Sequence, residues 1–299
     1  MIVRDAFTQW SEDKPFQLGA ALAYYTLFSL APLLLVAIAV AGLVFGREAA
    51  QNQIVGALME IVGLQSARAI QDMIESAAEK PDSGWFATIL GMALLLFGAA
   101  GVVTQLQDSL NTIWGVAPKP GRGLRGFLRD RVVSFSMVLG VGFLLLVSLV
   151  VSAALTALTQ VLGYLLPGTA ALAYVMDIIV SFGFITFLFA LIYKFMPDAR
   201  IAWRDVWIGA AMTSFLFSIG KFLIGLYLGH STVISIYGAA GSLVSVLLWV
   251  YYSALIFFFG AEFTQVYASK VGSGVVPAAN AESVRLQKRQ SPPPEERSQ

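Results

Sequence analysis

Six predominantly apolar runs, each long enough to cross a bilayer, constrain this chain more than any other feature of its sequence. The hydrocarbon core of a bilayer is about 30 Å thick and takes roughly 20 helical residues to span, because every backbone N–H and C=O within it must be satisfied inside the helix. The runs cover about residues 18–45, 85–107, 132–162, 171–195, 206–228 and 237–267. The first is entered after "EDKP", where Asp13 is the expected N-cap and Pro15 falls in the first turn. The third and fourth share one tract that "GYLLPGT" breaks into two antiparallel helices. Only 12% of the residues are charged, against about 25% in an ordinary soluble domain. The expected fold is an all-α integral membrane protein with six transmembrane helices. The opening "MIVRDAFTQWSEDKPF" places acidic residues and Trp10 where a secretory signal needs an apolar core, so the chain is expected to stay whole.

Lys and Arg are distributed unequally between alternate connections, which sets orientation because positive loops stay cytoplasmic. The N-terminus, the 2–3 loop, the 4–5 loop and the tail together hold 15 of the 19 basic residues. The opposite side holds three, Arg47, Arg68 and Lys80, all in the 1–2 loop, and Lys221 lies within a span. Both termini are therefore expected in the cytoplasm. Within the 1–2 loop, Ile54, Leu58 and Ile61, then Ile70, Met73 and Ala77, recur at helical spacing, so an amphipathic helical hairpin is expected to pack over the outer mouth of the bundle. A lid or substrate funnel is the functional alternative. From residue 271 to 299 the sequence turns to Gly, Ser, Pro and mixed charge, which predicts a disordered cytoplasmic tail. In the 2–3 loop, "PKPGRGLRGFLRDRVV" sets Arg122, Arg125 and Arg129 on one helical face and Leu124, Phe127 and Leu128 on the other. Such a segment lies in the interface, either as a topology anchor or as a contact for anionic lipid headgroups.

Ionisable side chains inside spans are costly and are candidates for function by default. Asp177 and Lys221, on antiparallel spans four and five, fall at similar depth in the outer half of the membrane and form a candidate ion pair; snorkelling of Lys221 is the alternative. Asp108 and Glu262 approach the cytoplasmic ends of spans two and six, with Gln105 and Gln265 nearby. They are a shared inner gate or proton site, acidic groups at solvated helix ends, or partners of the 2–3 loop arginines; the solvated end is the expectation for Glu262. In span six, Gly238, Gly241, Ser242, Ser245, Ser253 and Gly260 share a face with Trp249 and Tyr252, which either packs closely on another helix or lines a cavity. Pro32 permits a kink in span one.

The absence of cysteine and the single histidine, His230, leave no thiolate site, His-based metal site or hydrolase triad, so no enzyme activity, metal or cofactor is expected. A formal net charge of +1 argues against a nucleic-acid partner. The segments "ALAYYTLFSLAPLL", "LQDSLNTIWGV", "YKFMPDARIAWRDVWIGA" and "SIYGAAGSLVSVLLWVYYSALIFFFGAEFTQVYA" resemble, in that order, the signatures of the YihY/BrkB family of bacterial inner-membrane proteins, over about residues 7 to 270. The resemblance implies a six-span inner-membrane protein; members have been labelled serum-resistance factors, proposed transporters of lipids or lipopolysaccharide precursors, and ribonuclease BN. The ribonuclease label conflicts with the residues, which provide neither clustered metal ligands nor a basic substrate surface. Two functions remain: a transporter or lipid and envelope-precursor flippase, and a non-transporting scaffold for the cell envelope. A transporter would draw on an ion gradient or a partner, because no GxxxxGK[ST] motif is present. The expected partners are membrane lipids, with a homo-oligomer or an envelope protein as further candidates.

Overall fold

A computed structural model of the protein describes residues 2–46, 48–49, 51–52, 54–56, 67–68, 70–72, 74, 101–119, 170–230 and 241–284. Among the described residues the long elements are α1 (Ile2–Glu12), α2 (Pro15–Phe45), α3 (101–114), α4 (Ala170–Phe195), α5 (Trp203–His230) and α6 (Gly241–Lys270). Four short strands accompany them: β1 (Val116–Pro118), β2 (Ala199–Arg200), β3 (Val276–Pro277) and β4 (Ala281–Ser283). Among the described residues, three stretches, Ile178–Phe195, Trp203–Tyr227 and Leu243–Lys270, are long and apolar enough to cross a membrane.

The helix boundaries follow local chemistry. Lys14, not Asp13, is the N-cap of α2; it adopts the left-handed conformation at φ 52° and makes no side-chain cap. The expected Asp13 cap is displaced because the Asp13 N–H closes the last turn of α1 by donating to Gln9 O at 3.0 Å. Pro15 then starts α2, where its missing N–H costs nothing. Helix α3 ends at Gly115, whose φ of 62° is the left-handed geometry that terminates helices.

Helix α6 is the centre of the structure: α5 and α2 pack along it, α1 crosses its C-terminal end, and α4 packs against α5. The α5–α6 contact is set by a reciprocal pair of glycines and threonines. A Cβ on Gly209 would overlap Thr264, and a Cβ on Gly260 would overlap Thr213. Each threonine folds its hydroxyl back onto the carbonyl four residues earlier, Thr213 onto Gly209 O at 2.8 Å and Thr264 onto Gly260 O at 2.7 Å. A G-x-x-x-T on one antiparallel helix thus fits the same sequence on the other. Tyr193 joins α4 to the pair: its hydroxyl donates to Phe257 O at 2.7 Å and lies 3.1 Å from Thr213 Oγ1. Further along the same contact, a Cβ on Gly220 would strike Ile256, and Tyr252 approaches the same glycine. Close backbone approach of this kind is how helices associate where lipid removes most of the hydrophobic driving force.

The small face expected on the last span is therefore a packing face where it is described. Gly241, Ser245 and Gly260 are buried, Trp249, Tyr252 and Ser253 are half-buried, Gly238 lies outside the described residues, and so does the side chain of Ser242. Trp249 packs against a second core, in which Ile38 of α2 and Val246 of α6 meet Ala67, Ile70 and Ile74 of the 1–2 loop, with Ile54 alongside. Ile54 and Ile70 of the expected hairpin stripe thus pack on the bundle; Leu58, Ile61, Met73 and Ala77 lie outside the described residues.

The expectation of a disordered tail from residue 271 fails for residues 271–284. Strand β4 pairs antiparallel with β1, and β3 pairs antiparallel with β2, so this segment lies across the end of the bundle where α3 and α4 finish and α5 begins. We call that end the base. Backbone pairing and two aspartates hold the segment despite its Gly- and Pro-rich composition. Residues 285–299 lie outside the described residues.

Candidate functional site

The base is organised by Asp198, in the turn between α4 and β2. Its Oδ2 accepts from Asn111 Nδ2 at 3.1 Å and from Gln107 Nε2 at 3.4 Å, and its Oδ1 accepts from Asn280 Nδ2 at 3.0 Å. Its own N–H donates to Asn111 Oδ1 at 2.7 Å, and its carbonyl accepts from Ala278 N at 2.9 Å. One carboxylate thereby ties α3, the α4–β2 turn and the C-terminal segment together. Buried Asp205, in the first turn of α5, does the same for the chain leaving α6. It accepts from Ser273 N at 2.9 Å and Ser273 Oγ at 3.1 Å, and a Cβ on Gly272 would overlap its carboxylate. Lys119 Nζ donates to Ala279 O at 3.1 Å, and Lys194 donates to Ile201 O while lying 5.5 Å from the Trp203 ring centroid.

Helix α6 carries a buried polar group just above this clasp. Glu262 is 0% exposed and Gln265, one turn on, is 2% exposed; Thr264 between them is fully buried. The expectation of a solvated helix end for Glu262 is overturned, because α6 continues to Lys270 and α1 packs across its end. Asp108, one residue past the predicted span 85–107, remains exposed. Partial burial and then the neighbouring Asp198 carboxylate raise its carboxyl above the ordinary value. Gln105, half-buried on α3, donates to Ser109 Oγ at 3.2 Å. Asp108 and Glu262 thus occupy different environments, one at the surface of the base and one inside the bundle.

Lys221 is exposed on α5, on the same outward side as Phe222 and Leu223. Asp177 lies in α4, but its side chain is outside the described residues, as are Arg122, Arg125 and Arg129. Among the described residues, no group of three His, Cys, Asp or Glu could hold a metal ion. Sequence reasoning missed Asp198, Asn111, Asn280 and Asp205, which make the clasp, and Thr213, Thr264 and Tyr193, which lock the helices. The available signal was the polar residues within the family motifs: Asn111 in "LQDSLNTIWGV" and Asp198 and Asp205 in "YKFMPDARIAWRDVWIGA".

The partial burial of Asp108, with the Asp198 carboxylate beside it, has a measurable consequence. A carboxyl whose value is raised on folding destabilises the folded state once it is ionised, and that cost disappears as pH falls below the unfolded value. Asp108→Asn is therefore expected to raise the thermal midpoint slightly at neutral pH, by no more than about 1 kcal/mol for so exposed a group, and to lose the gain in acid. Thermal unfolding in detergent across a pH series measures it.

Long apolar helices packed through glycines, with a wholly buried carboxyl on the central one, define a multi-pass helical membrane protein. The family described as "Virulence factor BrkB" matches residues 6–284, and the chain belongs to it. Among its relatives, a UPF0761 membrane protein of Azotobacter vinelandii is 30% identical over 87% of this chain and 61% of its own length. A UPF0761 membrane protein of Tolumonas auensis is 30% identical over 59% of this chain and 56% of its own. One from Pseudomonas aeruginosa is 28% identical over 83% of this chain and 58% of its own. The chain thus spans less than two thirds of the length of these relatives. No solved structure matches it.

Proposed function

We propose that the protein is a six-span carrier of the bacterial inner membrane, both termini cytoplasmic, that moves lipid or a lipid-linked envelope precursor and couples the movement to protons through Glu262. The observation that carries this reading is the complete burial of Glu262 in the central helix. An ionisable group inside a membrane bundle is expensive and marks ion, proton or substrate pathways by default. Its neighbour Gln265 is also buried, a second polar side chain inside the bundle beside the carboxyl. Asp108 and Gln105 on α3 would form the approach from the base, and Asp177 with Lys221 would form an ion pair in the far half. Arg122, Arg125 and Arg129 would gather anionic headgroups at the interface. The basic residues Arg4, Lys14, Lys119, Lys194, Arg200, Arg204 and Lys270 all fall at the base, which supports placing that end in the cytoplasm.

A specific observation favours a second reading. The glycine–threonine lock and the clasp fix α4, α5 and α6 to one another, as a scaffold requires. Transport is tested by reconstituting the protein in vesicles carrying a headgroup-fluorescent lipid and measuring how fast label in the inner leaflet becomes reachable by an external quencher. Protein-dependent exposure of that label supports the carrier; a rate equal to that of empty vesicles supports the scaffold.

A further inference from the structure

Helix α1 does more than cap the bundle. Ala6 is fully buried against the structure, while Val3 and Phe7, one turn apart, are 52% and 58% exposed. The adjoining strip of the helix carries Arg4, Thr8 and Glu12, all exposed, so the outward side is divided into an apolar and a polar flank. Asp5 is bound to Lys270 at the end of α6, and Trp10 lies edge-on to Phe259 of α6 with ring centroids 6.1 Å apart. These contacts fix how α1 is turned, and they leave Val3 and Phe7 facing outward.

That apolar stripe is continuous with the outer surface of α2. Trp10 bridges Phe7, at 5.7 Å, to Phe16, at 5.5 Å between ring centroids, and Phe16 is 57% exposed. From Phe16 the exposed positions Ala20, Tyr24 and Phe28 follow at four-residue spacing, one ridge up an uncharged helix of 31 residues. In a membrane protein such a ridge meets lipid. At the same end, Phe195, Trp203 and Trp207 are exposed on α4 and α5, with Lys194 against Trp203. Aromatic rings and cations grouped in this way mark the level of the headgroups.

We infer that α1 is an interfacial helix, its Val3–Phe7 face inserted into the lipid surface of the membrane that the bundle crosses and its Arg4–Thr8–Glu12 face in water. A helix with one apolar and one charged face lies in the plane of the interface. The Asp5–Lys270 contact then couples that surface to the end of α6. This inference rests on the membrane location of the chain and is independent of whether the protein transports anything.

The chain has no cysteine, so single spin labels can be placed in the full-length protein without background. Val3→Cys, Phe7→Cys and Phe16→Cys, with Thr8→Cys and Glu12→Cys as the water-side positions, are labelled and reconstituted in phosphatidylethanolamine–phosphatidylglycerol vesicles. Labels at 3, 7 and 16 are expected to be relaxed by oxygen and shielded from a water-soluble nickel complex, with the order reversed at 8 and 12. Nickel access at 3 and 7 equal to that at 8 and 12 would overturn the inference. Spin–spin broadening at 3 and 7 that vanishes on dilution with unlabelled protein would assign the face to a second copy and overturn it equally. Where the Phe7 label prevents folding, Val3, which is itself exposed, gives the same comparison with Thr8.

Discussion

Gly209→Val is expected to prevent accumulation of folded protein in the membrane. No side chain fits at this position, because even a Cβ would overlap Thr264 on the facing helix. Relief would require α5 and α6 to move apart, which would also pull Thr213 from Gly260 and disturb the Tyr193 contacts to Thr213 and Phe257. Overpacking a tight site costs about 1–3 kcal/mol, and here the strain is shared by two contacts, so a loss above about 3 kcal/mol is expected. The diagnostic result is a rescue. Gly209→Ala alone should be strongly destabilised, and Thr264→Gly in the same chain should recover most of the loss, since it empties the space that the new methyl enters. Coupling energies between touching residues reach about 0.5–3 kcal/mol, well within reach of thermal unfolding in detergent. Additive losses from the two substitutions would show that the helices do not meet at this pair.

Asp198→Ala should release the clasp. Removing the carboxylate takes partners from Asn111, Gln107 and Asn280 together, and Asn111 is buried. Hydrogen bonds to a charged acceptor contribute roughly 1.5–3 kcal/mol each, but partial exposure lowers this, so a total near 3 kcal/mol is expected. The local effect should exceed the global one. Amides of residues 271–284 should exchange with deuterium faster by orders of magnitude, while those of α6 above Gly260 change little. Asp198→Asn should fall between, since it keeps an acceptor but not the charge. Unchanged exchange in the C-terminal segment would mean that strand pairing alone holds it.

How legible these features were in sequence depended on the range of the interaction behind them. The apolar runs announce helices because the bilayer imposes a length on every span, and α4, α5 and α6 fall on three of those runs. Gly260 was legible as a packing position from its place on the small face, but its partner was not, since an isolated glycine and threonine four residues apart look the same on any helix. The clasp joins residues 82 and 87 positions apart, and a lone Asp in "MPDAR" looks like the polar end of a span. The tail was misjudged because composition measures what a segment can bury, whereas residues 271–284 are held by backbone pairing and by Asp198 and Asp205. Glu262 was misplaced because depth along one helix says nothing of what packs across its end. Here α6 runs on to Lys270, and the Asp5–Lys270 bond holds α1 over it.

The most direct measurement is lipid movement under an imposed proton gradient, comparing the native protein, Glu262→Gln and empty vesicles. Glutamine keeps the shape of the side chain and cannot carry a proton. The proposal predicts translocation that depends on the gradient in the native protein, falls to the empty-vesicle rate in Glu262→Gln, and is lost although that variant unfolds at the native temperature. Translocation by Glu262→Gln at the native rate, or no translocation by either protein, would contradict it.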